Sequence, residues 1–339
     1  MIKQVVACLA EWVVWATWGC NSLDCLGAET ELFARKACLS LSSCLPPGPA
    51  KHCGAFFIYD AGMQFFSRLQ HAWQHQASLL CVGLDPDTAQ FPGTLKERAR
   101  HDPLGAIEAF CLGIMEATAP YCAAFKPQIA YFASQRAESV LEKLAVAARD
   151  RYPHHIWLLD AKRGDIGSTA EHYAREAYDR YQADAVTVSP YMGTDSLAPY
   201  LQYKDRGIFV LCRTSNSGGD DFQMLSTDHH PLYVEVATQA AQRWNKHQQI
   251  GLVVGATYPR EIEIVRRVAP DLPLLIPGIG TQGGDLIATV RAGRNESGGM
   301  LINSSRAILY ASQQEDWQEA AATIAQQTGQ AIQNALANR

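Results

Sequence analysis

The chain has 339 residues, 47% of them apolar, and carries a formal charge of −5 at pH 7. That length and composition describe a soluble globular chain able to bury a sizeable core. The mildly acidic balance excludes a general attraction to nucleic acid or to an anionic membrane, so any phosphate must be gripped by a local site.

Residues 1–62 differ in character from the remainder. They hold Cys8, Cys20, Cys25, Cys38, Cys44 and Cys53, the tryptophans Trp12, Trp15 and Trp18, and a cluster of Pro46, Pro47, Gly48 and Pro49, with no clear amphipathic period. Lys3 before the apolar run from Val5 to Gly19 resembles the start of a signal peptide, and Cys20 hints at a lipidated cysteine. Against that, Glu11 interrupts the run, no A-x-A-like cleavage site follows, and the span is too short and too charged to cross a bilayer. The expectation is an extension, poorly ordered or non-native, with the functional chain starting at Met63.

From Met63 onward short aliphatic runs alternate with segments of helical period, the mark of a parallel α/β architecture. The predicted strands are Leu79–Leu84, Cys122–Lys126, Ile156–Asp160, Ala185–Ser189, Ile208–Cys212, Leu252–Ala256, Leu274–Pro277 and Met300–Ser304. Predicted helices between and after them include Leu104–Ala119, Ser134–Asp150, Thr169–Tyr181, Leu232–His247, Arg260–Val268 and Trp317–Ala337. Cys81, Cys111, Cys122 and Cys212 fall in apolar runs without a zinc-like spacing and read as buried thiols. Eight strand–helix pairs in 63–339 predict a single (β/α)8 barrel, and no G-x-G-x-x-G follows the first strand to favour an open dinucleotide-binding sheet.

In such a barrel reactive groups belong at the C-terminal ends of the strands. The polar residues follow that rule. Asp85 closes the first strand, Lys126 the second, Asp160 and Lys162 the third, and Ser189 the fourth. Arg213, Thr214, Ser215 and Asn216 follow the fifth, Pro277–Gly283 the seventh, and Ser305 and Arg306 the eighth. Asp160 and Lys162 stand two apart, so period-two alternation sends both side chains to one side. An isolated D-x-K reads as a strand-end salt bridge beside a helix cap. With Lys126 joining from the neighbouring strand, the charges are hard to explain as packing. Glycines after the seventh strand and Arg306 after the eighth fit the barrel's recurrent phosphate site. The Ser-, Gly- and Asp-rich segment Arg213–Pro231 on the same rim reads as a lid over substrate. His229 and His230 sit on a polar loop away from any carboxylate cluster and receive no metal.

The run Asp160-Ala161-Lys162-Arg163-Gly164-Asp165-Ile166, with Val82-Gly83-Leu84-Asp85-Pro86, Phe125-Lys126-Pro127, Pro277-Gly278-Ile279-Gly280 and Ser305-Arg306 in order around it, resembles the longer bacterial branch of the orotidine 5′-phosphate decarboxylase family. The likeness covers Met63 to the C-terminus. It implies decarboxylation of orotidine 5′-monophosphate to uridine 5′-monophosphate in pyrimidine biosynthesis, by a cytoplasmic homodimer with shared active sites and with no cofactor or metal. It also implies roles. Lys162 would protonate C6 of the pyrimidine, Asp160 would lie against the departing carboxylate, and Asp85 and Lys126 would hold the ribose. Asp165, Ile166 and Thr169 would reach into the partner's site. Ser215 would read the ring, while Gln282, the backbone around Gly280, and Arg306 would hold the phosphate. On this reading Asp160 and Asp165 flank Lys162 and keep its ammonium charged. Two rivals remain: a sugar-phosphate decarboxylase or aldolase of the same superfamily using magnesium, and a silent barrel that binds a nucleotide as a sensor. Relatives of the first kind generally carry an acidic metal ligand where Lys126 stands, and a mere binder needs the phosphate grip but not the charged array.

Overall fold

The computed structural model describes residues 63–279, 285–296 and 299–337. The extension 1–62, with the expectations attached to it, lies outside the described residues, as do Gly280 and Gln282.

Eight parallel strands close into a barrel in chain order: β1 (Leu80–Leu84), β2 (Ala124–Pro127), β3 (Ile156–Arg163), β4 (Ala185–Val188), β5 (Gly207–Arg213), β6 (Ile250–Val254), β7 (Leu274–Pro277) and β8 (Met300–Ser304), which pairs back onto β1. Five of the eight strands are buried at every position, as expected for a sheet with helices outside and packed side chains within. Their near-continuous apolar sequence made them legible. The bounds of β7 and β8 are those the sequence predicts, and the others shift at one or both ends.

Helix signals are chemical as well as periodic. Helix Pro103–Thr118 starts with proline in its first turn, after Asp102, whose carboxylate accepts from the Gly105 amide at 2.9 Å. Helix Leu286–Gly293 is capped in the same way by Asp285.

Three predicted helices differ from expectation; the one read as Leu232–His247 is α-helical over Leu232–Gln239 and widens into a π turn over Ala240–Trp244. The segment read as Ser134–Asp150 is helical only from Glu138, in a helix Glu138–Arg151. A separate short helix, Ile129–Ala133, precedes it, and the two are parted around Arg136, whose φ is +56°. Gln135 between them donates from Nε2 to the Pro86 carbonyl at 2.8 Å and so ties this break to the loop after β1. The segment read as Thr169–Tyr181 is helical over Gly167–Arg175 and widens into a π turn over Glu176–Arg180. Glu176 on that turn receives a fork of hydrogen bonds from Arg163 at the end of β3, with Nη2–Oε2 at 2.9 Å. The Arg163 guanidinium also lies over the Tyr173 ring, 4.6 Å from its centroid. The arginine of the D-A-K-R-G-D-I run thus braces β3 against its following helix.

Among the described residues no helix is long and apolar enough to cross a membrane.

Candidate active site

Because all eight strands run parallel, their C-terminal ends share one rim, and Asp85, Lys126, Asp160, Lys162, Arg213 and Arg306 stand at that rim or just beyond it. Register fixes their heights. Lys126 is paired with Gly83, and Asp160 is bridged to Gln128 just past β2. Gly83 is glycine because a Cβ there would lie 1.8 Å from the Ser305 hydroxyl. The V-G-L-D-P run and the Ser305-Arg306 turn therefore pack directly on one another.

At the centre Asp160, buried, is held at both oxygens. Oδ2 accepts from Lys126 Nζ at 3.0 Å, and Oδ1 accepts from Lys162 Nζ at 2.7 Å and from the Thr187 hydroxyl at 2.8 Å. Burial pushes the Asp160 carboxyl up, but the ammonium groups of Lys126 and Lys162 and the hydrogen bonds from Lys162 and Thr187 outweigh it. They hold the carboxyl well below the usual carboxylate range. For Lys126 burial favours the neutral form, and the charges of Asp160, Asp85 and Cys81 with the Asp160 hydrogen bond more than reverse that, so its value lies above that of an ordinary lysine. The same burial pushes the Cys81 thiol up to about 12, which leaves it a spectator.

Lys162 and Asp160 meet as expected, although not by regular alternation. The pairing of β3 with β4 shifts between Leu159 and Arg163, and Lys162 has a φ of +46°, in the left-handed region that a lysine rarely adopts. The side chain of Lys162 is half exposed, at 47%, whereas those of Lys126 and Asp160 are 5% and 11% exposed. One cation is therefore sealed within the rim and the other reaches out of it. Asp165 makes no ion pair with Lys162 among the described residues. Its Oδ1 accepts from the Ile166 amide instead, and Ile166 and Thr169 are exposed at the start of helix Gly167–Arg175.

Asp85, half-buried beyond β1, has a buried Oδ1 without a hydrogen-bond partner among the described residues, and its charge acts on Lys126. An unmet acceptor in this position suits a hydroxyl donor. Its backbone is fixed by Tyr310, whose hydroxyl donates to the Asp85 carbonyl and accepts from the Asp87 amide, both at 2.8 Å. Ser215 lies against β6. Gly255 follows that strand because its Cβ would fall 2.7 Å from Ser215 atoms. Gly278, at φ +105°, makes the turn after β7 that glycine permits, and Arg306 opens the short helix Arg306–Leu309 after β8.

Two contributors, Thr187 and Asn303, escaped sequence reasoning, and the bracing role of Arg213, already placed at the rim, was not legible either. Thr187 is the one hydroxyl in the otherwise aliphatic Ala185–Val188, and a polar residue in a fully buried strand was the available signal. Arg213 is buried at the end of β5. Its Nη2 donates to Asp220 Oδ1 at 2.5 Å, and its guanidinium lies over Tyr258, 4.1 Å from the ring centroid. It ties the segment 213–231 back to the barrel. Asn303 on β8 has a buried amide oxygen with no partner among the described residues.

The sequence profile of the family described as orotidine 5′-phosphate decarboxylase / HUMPS matches residues 78–323. The orotidine 5′-phosphate decarboxylase of Bordetella avium is 61% identical over 273 residues, spanning 80% of this chain and 98% of that protein. The enzyme of the same name from Ralstonia nicotianae is 60% identical over 267 residues, 78% of this chain and 97% of that one. Among solved structures, Leishmania donovani OMP decarboxylase is 38% identical with a TM-score of 0.66, covering 80% of this chain and 99% of its own. With the closed barrel and the Lys126–Asp160–Lys162 array at its mouth, these similarities show that the chain belongs to the orotidine 5′-phosphate decarboxylase / HUMPS family.

Proposed function

We propose that Lys162 is the proton donor in the decarboxylation of orotidine 5′-monophosphate to uridine 5′-monophosphate, the reaction this carboxy-lyase contributes to pyrimidine biosynthesis. The observation that carries this reading is the position of Lys162: its ammonium is 2.7 Å from a buried carboxylate held in its charged form, while its side chain still reaches out of the rim. Loss of carbon dioxide from C6 leaves charge on a carbon that the ring carbonyls delocalise poorly. A fixed cation with a ready proton answers both needs.

Asp160 holds that cation and directs it. The carboxylate has no proton to give, so the proton that reaches C6 leaves Lys162 Nζ. A single charge pair at about 4 Å contributes about 4 kcal/mol at an effective dielectric near 20, while large rate enhancements require on the order of 20 kcal/mol. The remainder comes from remote binding. Asp85 takes a ribose hydroxyl at its unmet oxygen together with Lys126, Arg306 and the Gly280–Gln282 loop take the phosphate, and Ser215 takes the ring. The segment 213–231, tied down through Arg213 and Asp220, covers the substrate.

The working unit on this reading is a cytoplasmic homodimer. Asp165, Ile166 and Thr169 serve the partner's site, which accords with Asp165 making no ion pair with Lys162 among the described residues. Ile166, Tyr191 and Met192, 50%, 83% and 49% exposed after β3 and β4, supply an apolar surface on the same rim for the partner. Residues 63–339 form the catalytic domain and 1–62 an extension to it.

The test is the loss of orotidine 5′-monophosphate absorbance in the presence of chelator, run beside Lys162→Ala. Chelator-resistant turnover that disappears in the variant is expected. A folded parent without turnover, or a Lys162→Ala variant that keeps it, would sink the assignment. The lysine at position 126, buried in an ion pair where a magnesium-dependent relative would place an acidic ligand, speaks against the sugar-phosphate alternative.

A further inference from the structure

We infer that Thr187 is the positioning residue of the active site: its hydroxyl fixes both the bulged backbone of Lys162 and the rotamer of Asp160, so that the ammonium of Lys162 is aimed at the reacting carbon. The inference rests on Lys162 being the proton donor.

A threonine hydroxyl has one proton and two lone pairs, and here all three are engaged. It accepts from the Ala161 amide at 3.0 Å and from the Lys162 amide at 2.9 Å, and it donates to Asp160 Oδ1 at 2.8 Å. The two amides leave the hydroxyl proton a single direction, toward the carboxylate. Thr187 is 1% exposed, and the strand that carries it is buried throughout, so water does not substitute for these contacts. Its β-branched side chain has little rotamer freedom to lose, which suits it to a fixed three-way junction.

The junction falls where β3 departs from regular pairing. Between Leu159 and Arg163 the register with β4 shifts, and Lys162 adopts its left-handed φ of +46°. A lysine in that region is strained, and the conformation persists only when its surroundings over-determine it. Two consecutive amides converging on one oxygen supply that constraint. The backbone ladder resumes immediately afterwards, with the Ser189 amide donating to the Arg163 carbonyl at 2.7 Å. The bulge is thus confined to the residues that bear the catalytic groups. Remove the hydroxyl, and the two amides lose their acceptor, Asp160 Oδ1 loses one of its two donors, and Lys162 is free to settle away from its present position.

The experiment compares Thr187→Val, which keeps shape and removes the hydroxyl, with Thr187→Ser, which keeps the hydroxyl. Steady-state decarboxylation and uridine 5′-monophosphate binding are measured for both beside the parent. The valine variant should bind the nucleotide and show the KM of the parent, while kcat falls about 10- to 100-fold, the penalty of a slightly misplaced catalytic group. The serine variant should recover most of kcat. If valine prevents folding, Thr187→Ala is read in the same way. A valine variant with parental kcat overturns the inference, as does a serine variant as impaired as valine, or a kcat loss that merely follows lost nucleotide binding. Absence of turnover in the parent itself would overturn the underlying reading, and this inference with it.

Discussion

Replacing Lys126 by methionine asks whether the charges at the barrel mouth act as one unit. In the parent, Lys126 Nζ lies 3.0 Å from Asp160 Oδ2, with side chains only 5% and 11% exposed. Oδ1 keeps two donors, Lys162 and Thr187, when Lys126 is removed, but Oδ2 loses its ammonium. Breaking a buried pair costs about 3–5 kcal/mol, and the donors left on Oδ1 place Lys126→Met near the lower bound, about 3 kcal/mol. Asp160→Asn makes the opposite error. It leaves Lys126 buried beside Lys162 with only the field of Asp85, again a loss of about 3 kcal/mol. The double variant carries neither uncompensated charge, so its loss should be about 3–4 kcal/mol, well short of the sum, with a coupling of about 2 kcal/mol or more. Urea unfolding at pH 7 with m-values held in common measures all four corners of the cycle. Losses that add, with coupling below about 0.5 kcal/mol, would refute the idea that the pair is a single buried unit.

Four further outcomes are expected. Because the folded-state value of Asp160 is depressed, its contribution to stability is complete above the unfolded aspartate value near 3.9 and is lost as pH falls below it, so between about pH 5 and pH 3 the parent's urea midpoint should drop more steeply than that of Asp160→Asn; parallel curves would contradict this. Arg306→Ala should raise KM for orotidine 5′-monophosphate about 10- to 100-fold with a smaller change in kcat, as expected for a lost charge-assisted grip on phosphate, and an unchanged KM would remove Arg306 from the phosphate site. Lys162→Ala and Asp165→Asn subunits, each inactive alone, should regain about a quarter of parental activity when unfolded and refolded together, since half of a random mixture is heterodimer with one intact site in two; no recovery would place Asp165 outside a shared site. A chain beginning at Met63 should be fully active, and a soluble, folded but inactive one would show that residues 1–62 take part in the chemistry.

The barrel was legible because a parallel sheet covered on both faces writes itself as short aliphatic runs at regular spacing, and Ile250–Val254 or Met300–Ser304 can hardly be read otherwise. Helix continuity was less legible. Period alone carried the predicted helix straight through Arg136, where a left-handed residue and the tether from Gln135 to Pro86 end one helix and start the next. The tether joins positions 49 residues apart, a distance over which helical period carries no information.

The charged array shows a different boundary of sequence reasoning. Regular alternation predicts that Asp160 and Lys162 meet, and they do, yet the pairing of the strand that carries them shifts there and Lys162 is left-handed. The charged residue types stand out in the sequence because their meeting at a rim is hard to explain as packing. The backbone that presents them could not be read from D-A-K alone, since its cause lies on another strand, in the hydroxyl of Thr187. A regular strand would present Lys162 as one more ladder position, free to follow any shift of the sheet. Holding it in a strained conformation between a buried carboxylate and a buried hydroxyl instead ties its position to three named hydrogen bonds, which is why the loss of one oxygen atom at position 187 should weigh on kcat more than on binding.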